Sequence, residues 1–450
     1  MCTANRAPRP RLPVVALILA GLVVCLALDR AAHAAPPAGG ARARARDLGV
    51  PFEGTPGRYN AITDVPGVEV GQVTLIRGSG RLRVGAGPVR TGVTAILPHG
   101  QKSRARSVGA VVSLNGNGEL TGSHWVNESG LLETPILLTN THSVGVVRDA
   151  VIAWGNRRFP SPPGMEAFSL PVVGETYDGA LNDINGLHVR PEHVFAALDG
   201  ARGGPVAEGN VGGGTGMICG GFKGGIGTSS RLVDTAAGRF TVGVLVQANY
   251  GRRRDLRIAG IPVGQELTEL MPVYAPGPSG PPGRPPAQAP PGGLPGGLPG
   301  GLKGPPGGPA PGPATNGEKR KDGSILIVLG TDAPVLPHQL QRLLRRTALG
   351  LGRLGAISYN SSGDLFVAFG LPQPEPDATG LELWRALNND DLDPLFQGAV
   401  QATEEAIVNA LCAAETMVGI DGNTVYALPH DRLRALLSKY HRLPSAGPAP

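Results

Sequence analysis

Aromatic residues make up only 4% of this 450-residue chain, and cysteine occurs four times. With so few aromatics there is no stacking platform of the kind that single-stranded nucleic acid requires. The arginine runs Arg42-Ala43-Arg44-Ala45-Arg46 and Arg252-Arg253-Arg254 carry no interleaved aromatics, so they read as solvated surface and nucleic acid is excluded as a partner. The formal charge of +6 also overstates the basic character, because residues 1–34 hold four arginines and one aspartate and the remainder carries +3. Cys2 and Cys25 lie in that N-terminal segment. The other two, Cys219 and Cys412, are too few for a disulfide framework or a zinc site. They either pair with each other or stay as buried thiols.

Familiar catalytic patterns are missing as well. The chain has no G-x-S-x-G elbow, no H-E-x-x-H, no S-x-x-K and no Walker A sequence. The segment 209–227 (GNVGGGTGMICGGFKGGIG) is dense in glycine but lacks the ordered spacing of a dinucleotide or phosphate loop; tight backbone packing near a cleft is the alternative. His142, His338 and His430 stand far apart with no partner motif, which favours surface or packing roles over a Ser-His-Asp triad.

What is present begins with a targeting pattern. Arg6, Arg9 and Arg11 precede an apolar run over 12–28, and Ala32-His33-Ala34 supplies a small-x-small cleavage site. Residues 1–34 are therefore expected to be a signal peptide, with export to the periplasm or medium. Residues 35–48 read as a disordered Ala/Pro/Arg stretch, and 49–450 as a single catalytic domain. Strands are predicted over 68–76, 91–97, 108–114, 170–173, 240–248, 325–329 and 364–369. Helices are predicted over 144–154, 191–198, from 337 onward, over 399–417 with Gly419 as the stop, and over 431–440. Strands and helices on both sides of a Pro/Gly-rich run at 275–321 argue one α+β layered domain with that run as an insertion.

That run ends on Gly323-Ser324, and the chain turns at once into Ile325-Leu326-Ile327-Val328-Leu329, a fully buried strand. A Gly-Ser pair can simply end a linker. At this junction it is also where a self-cleaving precursor would place its nucleophile. Gly323 supplies an unhindered carbonyl, and scission would free the α-amine of Ser324 to act as its own base.

Several segments, taken in order, make the chain resemble the self-processing aminopeptidases of the L-aminopeptidase/D-amidase-esterase type, also called β-peptidyl aminopeptidases. They are YNAITDVPGV from Tyr59, Glu175-Thr176-Tyr177-Asp178-Gly179, Leu181-Asn182-Asp183, NVGGGTGM from Asn210 and Gln247-Ala248-Asn249-Tyr250-Gly251. They continue with Asp322-Gly323-Ser324-Ile325, Asp332-Ala333-Pro334, Ser362-Gly363-Asp364 and Ala402-Thr403-Glu404-Glu405-Ala406. The likeness runs from about Asp47 to Tyr440 apart from the insertion, which departs from the family's usual pattern.

The resemblance implies a four-layer α/β/β/α sandwich built from both halves of a self-cleaved precursor. A larger chain, 49–323, would carry the insertion, and a smaller chain would span 324–450. Ser324 would be the nucleophile in maturation and in turnover. Asn249 would be the oxyanion donor, supported by Tyr177. Ser362 and Asp364 would orient the freed amine and relay its proton. Glu175 would hold the substrate's free amino group. Implied too are no metal or organic cofactor, small peptide, amide or ester substrates with a free N-terminal amine, and an oligomer, a tetramer, of processed heterodimers. Two rivals remain. One is the acetyl-ornithine acyltransferase branch, which uses threonine and works in the cytoplasm; the other is an unprocessed, non-catalytic binding protein.

Overall fold

The structure, a computed structural model, describes residues 42–165, 168–275, 323–371 and 379–443. The expected signal peptide and the insertion from residue 276 on lie outside the described residues. Along the chain the strands are β1 (Glu69–Arg77), β2 (Val89–Leu97), β3 (Ser107–Gly116), β4 (Leu131–Leu132), β5 (Ile136–Asn140) and β6 (Val172–Thr176). A short hairpin, β7 (Ile218–Cys219) and β8 (Phe222–Lys223), precedes β9 (Gly225–Thr235), β10 (Gly238–Tyr250), β11 (Gly323–Thr331) and β12 (Gly363–Gly370). The helices are α1 (Ser123–Ser129), α2 (Val144–Arg158), α3 (Pro191–Asp199), α4 (Val263–Glu266), α5 (Pro337–Arg353), α6 (Asp393–Ala413) and α7 (His430–Lys439).

Two larger sheets result beside two two-stranded ones, one of four strands in the order β1-β2-β5-β6 and one of six in the order β4-β3-β12-β11-β10-β9. The alternation of side chains along β11 shows how they stack. Ile325, Ile327 and Leu329 pack with Leu340, Leu343 and Leu344 of α5 and Ala399, Ala402, Ala406 and Ala410 of α6. Leu326 and Val328 face the other way and meet Ile96, Leu138 and Val172 of the smaller sheet. On the far side of that sheet, Val147, Val151 and Trp154 of α2 and Val194 and Leu198 of α3 cover Val93, Leu137 and Val173. The layers are therefore α/β/β/α, the expected sandwich, and β11 reads as an unbroken apolar run because both its faces are covered.

The residues after the insertion do not form a separate body. β11 pairs antiparallel with β10 and parallel with β12, and β12 in turn pairs antiparallel with β3. Two strands from the second half thus sit inside a sheet otherwise built from the first.

Four expectations need correction. Residues 42–48, read as disordered, form a turn with Ala45 and Leu48 in the core. The arginines there are not solvated. Arg44 pairs with Glu208 at 2.7 Å, and Arg46 pairs with Glu405, which also receives Arg231 at 2.7 Å. Arg253 is buried over the Phe222 ring, with its guanidinium spread over the carbonyls of Gly220, Gly221, Leu267, Glu269 and Leu270. Finally, α6 starts at Asp393 and stops at Ala413, so Gly419 does not cap it; Ala414 is already extended, with φ −72° and ψ 142°. The two cysteines are free and buried.

Candidate active site

Strand register assembles the centre. Ser324 lies opposite Asn249 on β10 and beside Gly363 on β12. Directly opposed residues of an antiparallel pair project to one face, so the Ser324 hydroxyl and the Asn249 amide share the face that β11 turns toward the smaller sheet. The Ser324 Oγ accepts a hydrogen bond from the Gly363 N–H at 3.1 Å. One residue to either side, the Ser362 hydroxyl donates to Oδ1 of Asp364 at 2.7 Å. All four side chains, of Ser324, Asn249, Ser362 and Asp364, are buried.

Gly323 is fixed by sterics rather than by linker composition. Its φ is +78°, a region that side chains avoid, and a Cβ there would stand 1.8 Å from the Asn249 carbonyl oxygen. Only glycine lets the residue before Ser324 lie this close to β10.

The Asn249 amide is oriented by two contacts. Its Oδ1 accepts from the Ile218 N–H at 2.8 Å, and its Nδ2 donates to the Tyr177 carbonyl at 3.0 Å. Among the described residues no second acceptor takes the other N–H of Nδ2. Ile218 belongs to the β7–β8 hairpin and pairs there with Lys223. The Lys223 ammonium is fully buried, and that burial lowers it to about 7. Its Nζ donates to the Gly224 carbonyl at 2.8 Å and to the Gly214 carbonyl at 3.4 Å.

Glu175, near the end of β6, is buried; its Oε1 accepts the Glu119 N–H at 3.1 Å and its Oε2 accepts the Thr141 hydroxyl. Burial pushes its carboxyl up, and those two hydrogen bonds pull part of the way back. Asp364 is likewise raised by burial, against the Ser362 hydroxyl. Gly118 links Glu175 to the serine centre: a Cβ on it would lie 3.2 Å from Glu175 Oε1 and 3.5 Å from the Gly363 Cα. Tyr177 is held to Asn249 by its main chain, while the residue is 45% exposed and its hydroxyl lies over Gly179.

The structure thus sets Ser324, Gly323, Asn249, Ser362 and Asp364 at adjoining positions of β10, β11 and the start of β12, with Glu175 on their border and the Tyr177 phenol at the surface. Sequence reasoning missed Asn115, Asn117, Gly118, Glu119, Thr141 and Ile218, which hold those groups. The alternating Asn115-Gly116-Asn117-Gly118 marks a turn, but nothing in it says what its amides reach. Segment 209–227 is packing: a Cβ on Gly213 would lie 2.1 Å from Oε1 of Gln247, and one on Gly227 would lie 2.0 Å from the Ala406 carbonyl. Among the described residues no group of three or more His, Cys, Asp or Glu side chains could hold a metal ion.

The chain is similar in sequence and fold to known proteins. The L-aminopeptidase D-Ala-esterase/amidase of Ochrobactrum anthropi, a prototype of the serine aminopeptidases and a variant of the Ntn-hydrolase fold, superposes with a TM-score of 0.74 at 43% identity, covering 89% of this chain and 99% of its own. A β-aminopeptidase from Burkholderia sp. gives 0.71 at 44% identity, over 88% and 99%. The β-peptidyl aminopeptidase BapA of Sphingosinicella microcystinivorans is 50% identical over 406 residues, 90% of this chain and 94% of its own length. Fold and site thus define a peptidase of the Ntn-hydrolase type. More narrowly, the model of peptidase family S58 matches residues 60–425, and this chain belongs to that family.

Proposed function

We propose that this chain is an exported, self-processing serine aminopeptidase that releases a small L-, D- or β-amino acid from the N-terminus of peptides, amides or esters. The observation that carries the reading is the register that sets Ser324 against Asn249 and Gly363, directly after a residue that must be glycine. In maturation, Ser324 Oγ attacks the Gly323 carbonyl carbon and the Ser324 amide nitrogen leaves. The resulting ester is hydrolysed by water, giving a Gly323 carboxylate and a free α-amine. That amine, with an ordinary pKa near 7.7–8.0, is matched to accept the Oγ proton at neutral pH.

In turnover, Oγ attacks the substrate carbonyl while the α-amine takes its proton. The free N–H of Asn249 stabilises the oxyanion, with the Tyr177 phenol as second donor once its ring swings in from the surface. The proton passes to the leaving amine and an acyl-enzyme forms on Ser324; water then releases the amino acid. Ser362 and Asp364 orient the α-amine, and the Glu175 carboxylate holds the substrate ammonium. The β-peptidyl activity of the 50%-identical relative supports β-amino acids as acyl residues. The basic N-terminal segment with its cleavage pattern supports export. A tetramer of processed heterodimers is the assembly we expect.

Amides of β-alanine, alanine and D-alanine, each free and N-acetylated, test the reading. Free amines should be hydrolysed and their acetylated forms refused. Glu175→Gln should lose about ten- to a hundred-fold in kcat/KM, the worth of a charge-assisted contact. Because burial raises the Glu175 and Asp364 carboxyls, both take up protons above the usual carboxylate range as pH falls. The α-amine, as the base of higher pKa, should set the first acid limb of kcat/KM, and protonation of these two carboxyls should steepen the loss at lower pH. Equal turnover of blocked and free substrates would instead make this a general amidase. A single unprocessed chain without activity would make it a binding protein.

A further inference from the structure

The parallel pairing that brings β12 to Ser324 is regular, but on its other edge β12 loses register with β3 just after Gly363. Opposite Asp364 and Leu365 the ladder with β3 slips: Asp364 faces Asn115, whereas Leu365 faces Ser113, leaving Leu114 as an extra residue. A bulge of this kind interrupts the ladder hydrogen bonds and re-aims the strand. Two side chains, of Asn115 near the end of β3 and of Asn117 just after it, reach past the bulge to the turn before β12. The Asn115 Nδ2 donates to the Tyr359 carbonyl at 2.7 Å, and the Asn117 Nδ2 donates to the Ser361 carbonyl at 2.6 Å. The Ser362 N–H also reaches the Tyr359 carbonyl, at 2.8 Å. The turn that presents Ser362 and Gly363 is therefore held by amides from β3 and the residues just after it.

The same segment touches the amino-group side of the site. The Asn117 carbonyl would lie 2.4 Å from a Cβ on Gly363, and the next residues, Gly118 and Glu119, border Glu175 and donate an N–H to it. Asn117 thus stands between the two groups.

We infer that Asn115 and Asn117 are positioning residues. They anchor the turn that leads into β12 beside the bulge, aim the Gly363 N–H at Ser324 Oγ, and, through Asn117, set the distance between the nucleophile and the Glu175 carboxylate. This deepens the reading of Ser324 as nucleophile and rests on it. Asn115 acts on the nucleophile side only, and Asn117 acts on both sides.

The two residues are consequently separable by kinetics. Losing one neutral hydrogen bond is worth about tenfold. Asn115→Ala should lower kcat about tenfold with KM unchanged. Asn117→Ala should lower kcat and raise KM, each about tenfold, and should slow conversion of the precursor. Asn117 is exposed, so Asn117→Asp, which keeps the shape but loses the donor, should fold and behave as the alanine variant does. Unfolding midpoints within a few degrees of wild type would assign the losses to positioning. Wild-type maturation with unchanged kcat and KM in both Asn117 variants overturns the inference, as does an effect of Asn117→Ala that its unfolding midpoint fully explains. Failure of the nucleophile reading looks different, because Ser324→Ala would then still mature.

Discussion

A hydroxyl becomes a site here through what surrounds it. Ser324 receives the Gly363 N–H at 3.1 Å and faces Asn249 across the sheet, and the Asn249 amide is clamped between the Ile218 N–H and the Tyr177 carbonyl. A preorganised donor of this sort is worth about 10²–10³ in kcat, or roughly 3–4 kcal/mol. Asn249→Ala should therefore fold and bind substrate nearly as wild type does, yet mature slowly and turn over poorly, since both reactions pass through a tetrahedral intermediate. Single-turnover kinetics on the matured fraction checks this; an unchanged rate would leave Asn249 as a strand-end packing residue. At this scale the sequence was legible where chemistry dictates residue type. Ser324 was singled out by its Gly-Ser junction before a buried strand, whereas Asn249, Ser362, Asp364 and Glu175 entered through family resemblance; the fold sets them at adjoining positions or on the border. The supporting amides of Asn115 and Asn117 were not legible, because their partners are carbonyls about 244 residues away that only the register supplies.

Among the elements, β10, β11 and β12 were readable because branched apolar runs announce a covered strand. β9 was not. Its sequence GIGTSSRLVDT is polar in the middle, yet Thr228, Ser229, Ser230 and Arg231 are all buried there. The explanation lies in α6 and the N-terminal turn. Ser229 donates to the Ala402 carbonyl at 2.6 Å, Arg231 is neutralised by Glu405, and Arg46 joins the same carboxylate. Charges that look solvated in a linear reading are paired in the fold. The closeness of β9 to α6 depends on Gly227, where an added Cβ would lie 2.0 Å from the Ala406 carbonyl. Gly227→Ala should push the helix off the sheet and cost about 1–3 kcal/mol, seen as a lower midpoint in chemical denaturation; an unchanged midpoint would mean the helix is free to shift.

For the whole molecule, the architecture explains how a chain can be cut and stay whole. The α+β class followed from strands and helices on both sides of the insertion, and the four layers from family resemblance. That both halves build one domain was expected, but the order in which their strands interleave was invisible, because sheet order is a property of tertiary contact. β11 and β12 lie between β10 and β3, so a cut between Gly323 and Ser324 leaves every other strand pairing of that sheet intact. The two parts should run as one species in native gel filtration and separate only in denaturant. Intact mass of purified wild type and Ser324→Ala under denaturing conditions tests the proposed self-cleavage most directly. Wild type should give two chains, the smaller beginning Ser-Ile-Leu-Ile-Val at Ser324, and Ser324→Ala should give one inactive chain. A Ser324→Ala protein that still divides at this bond, or a wild type that is fully active as a single chain, would contradict it.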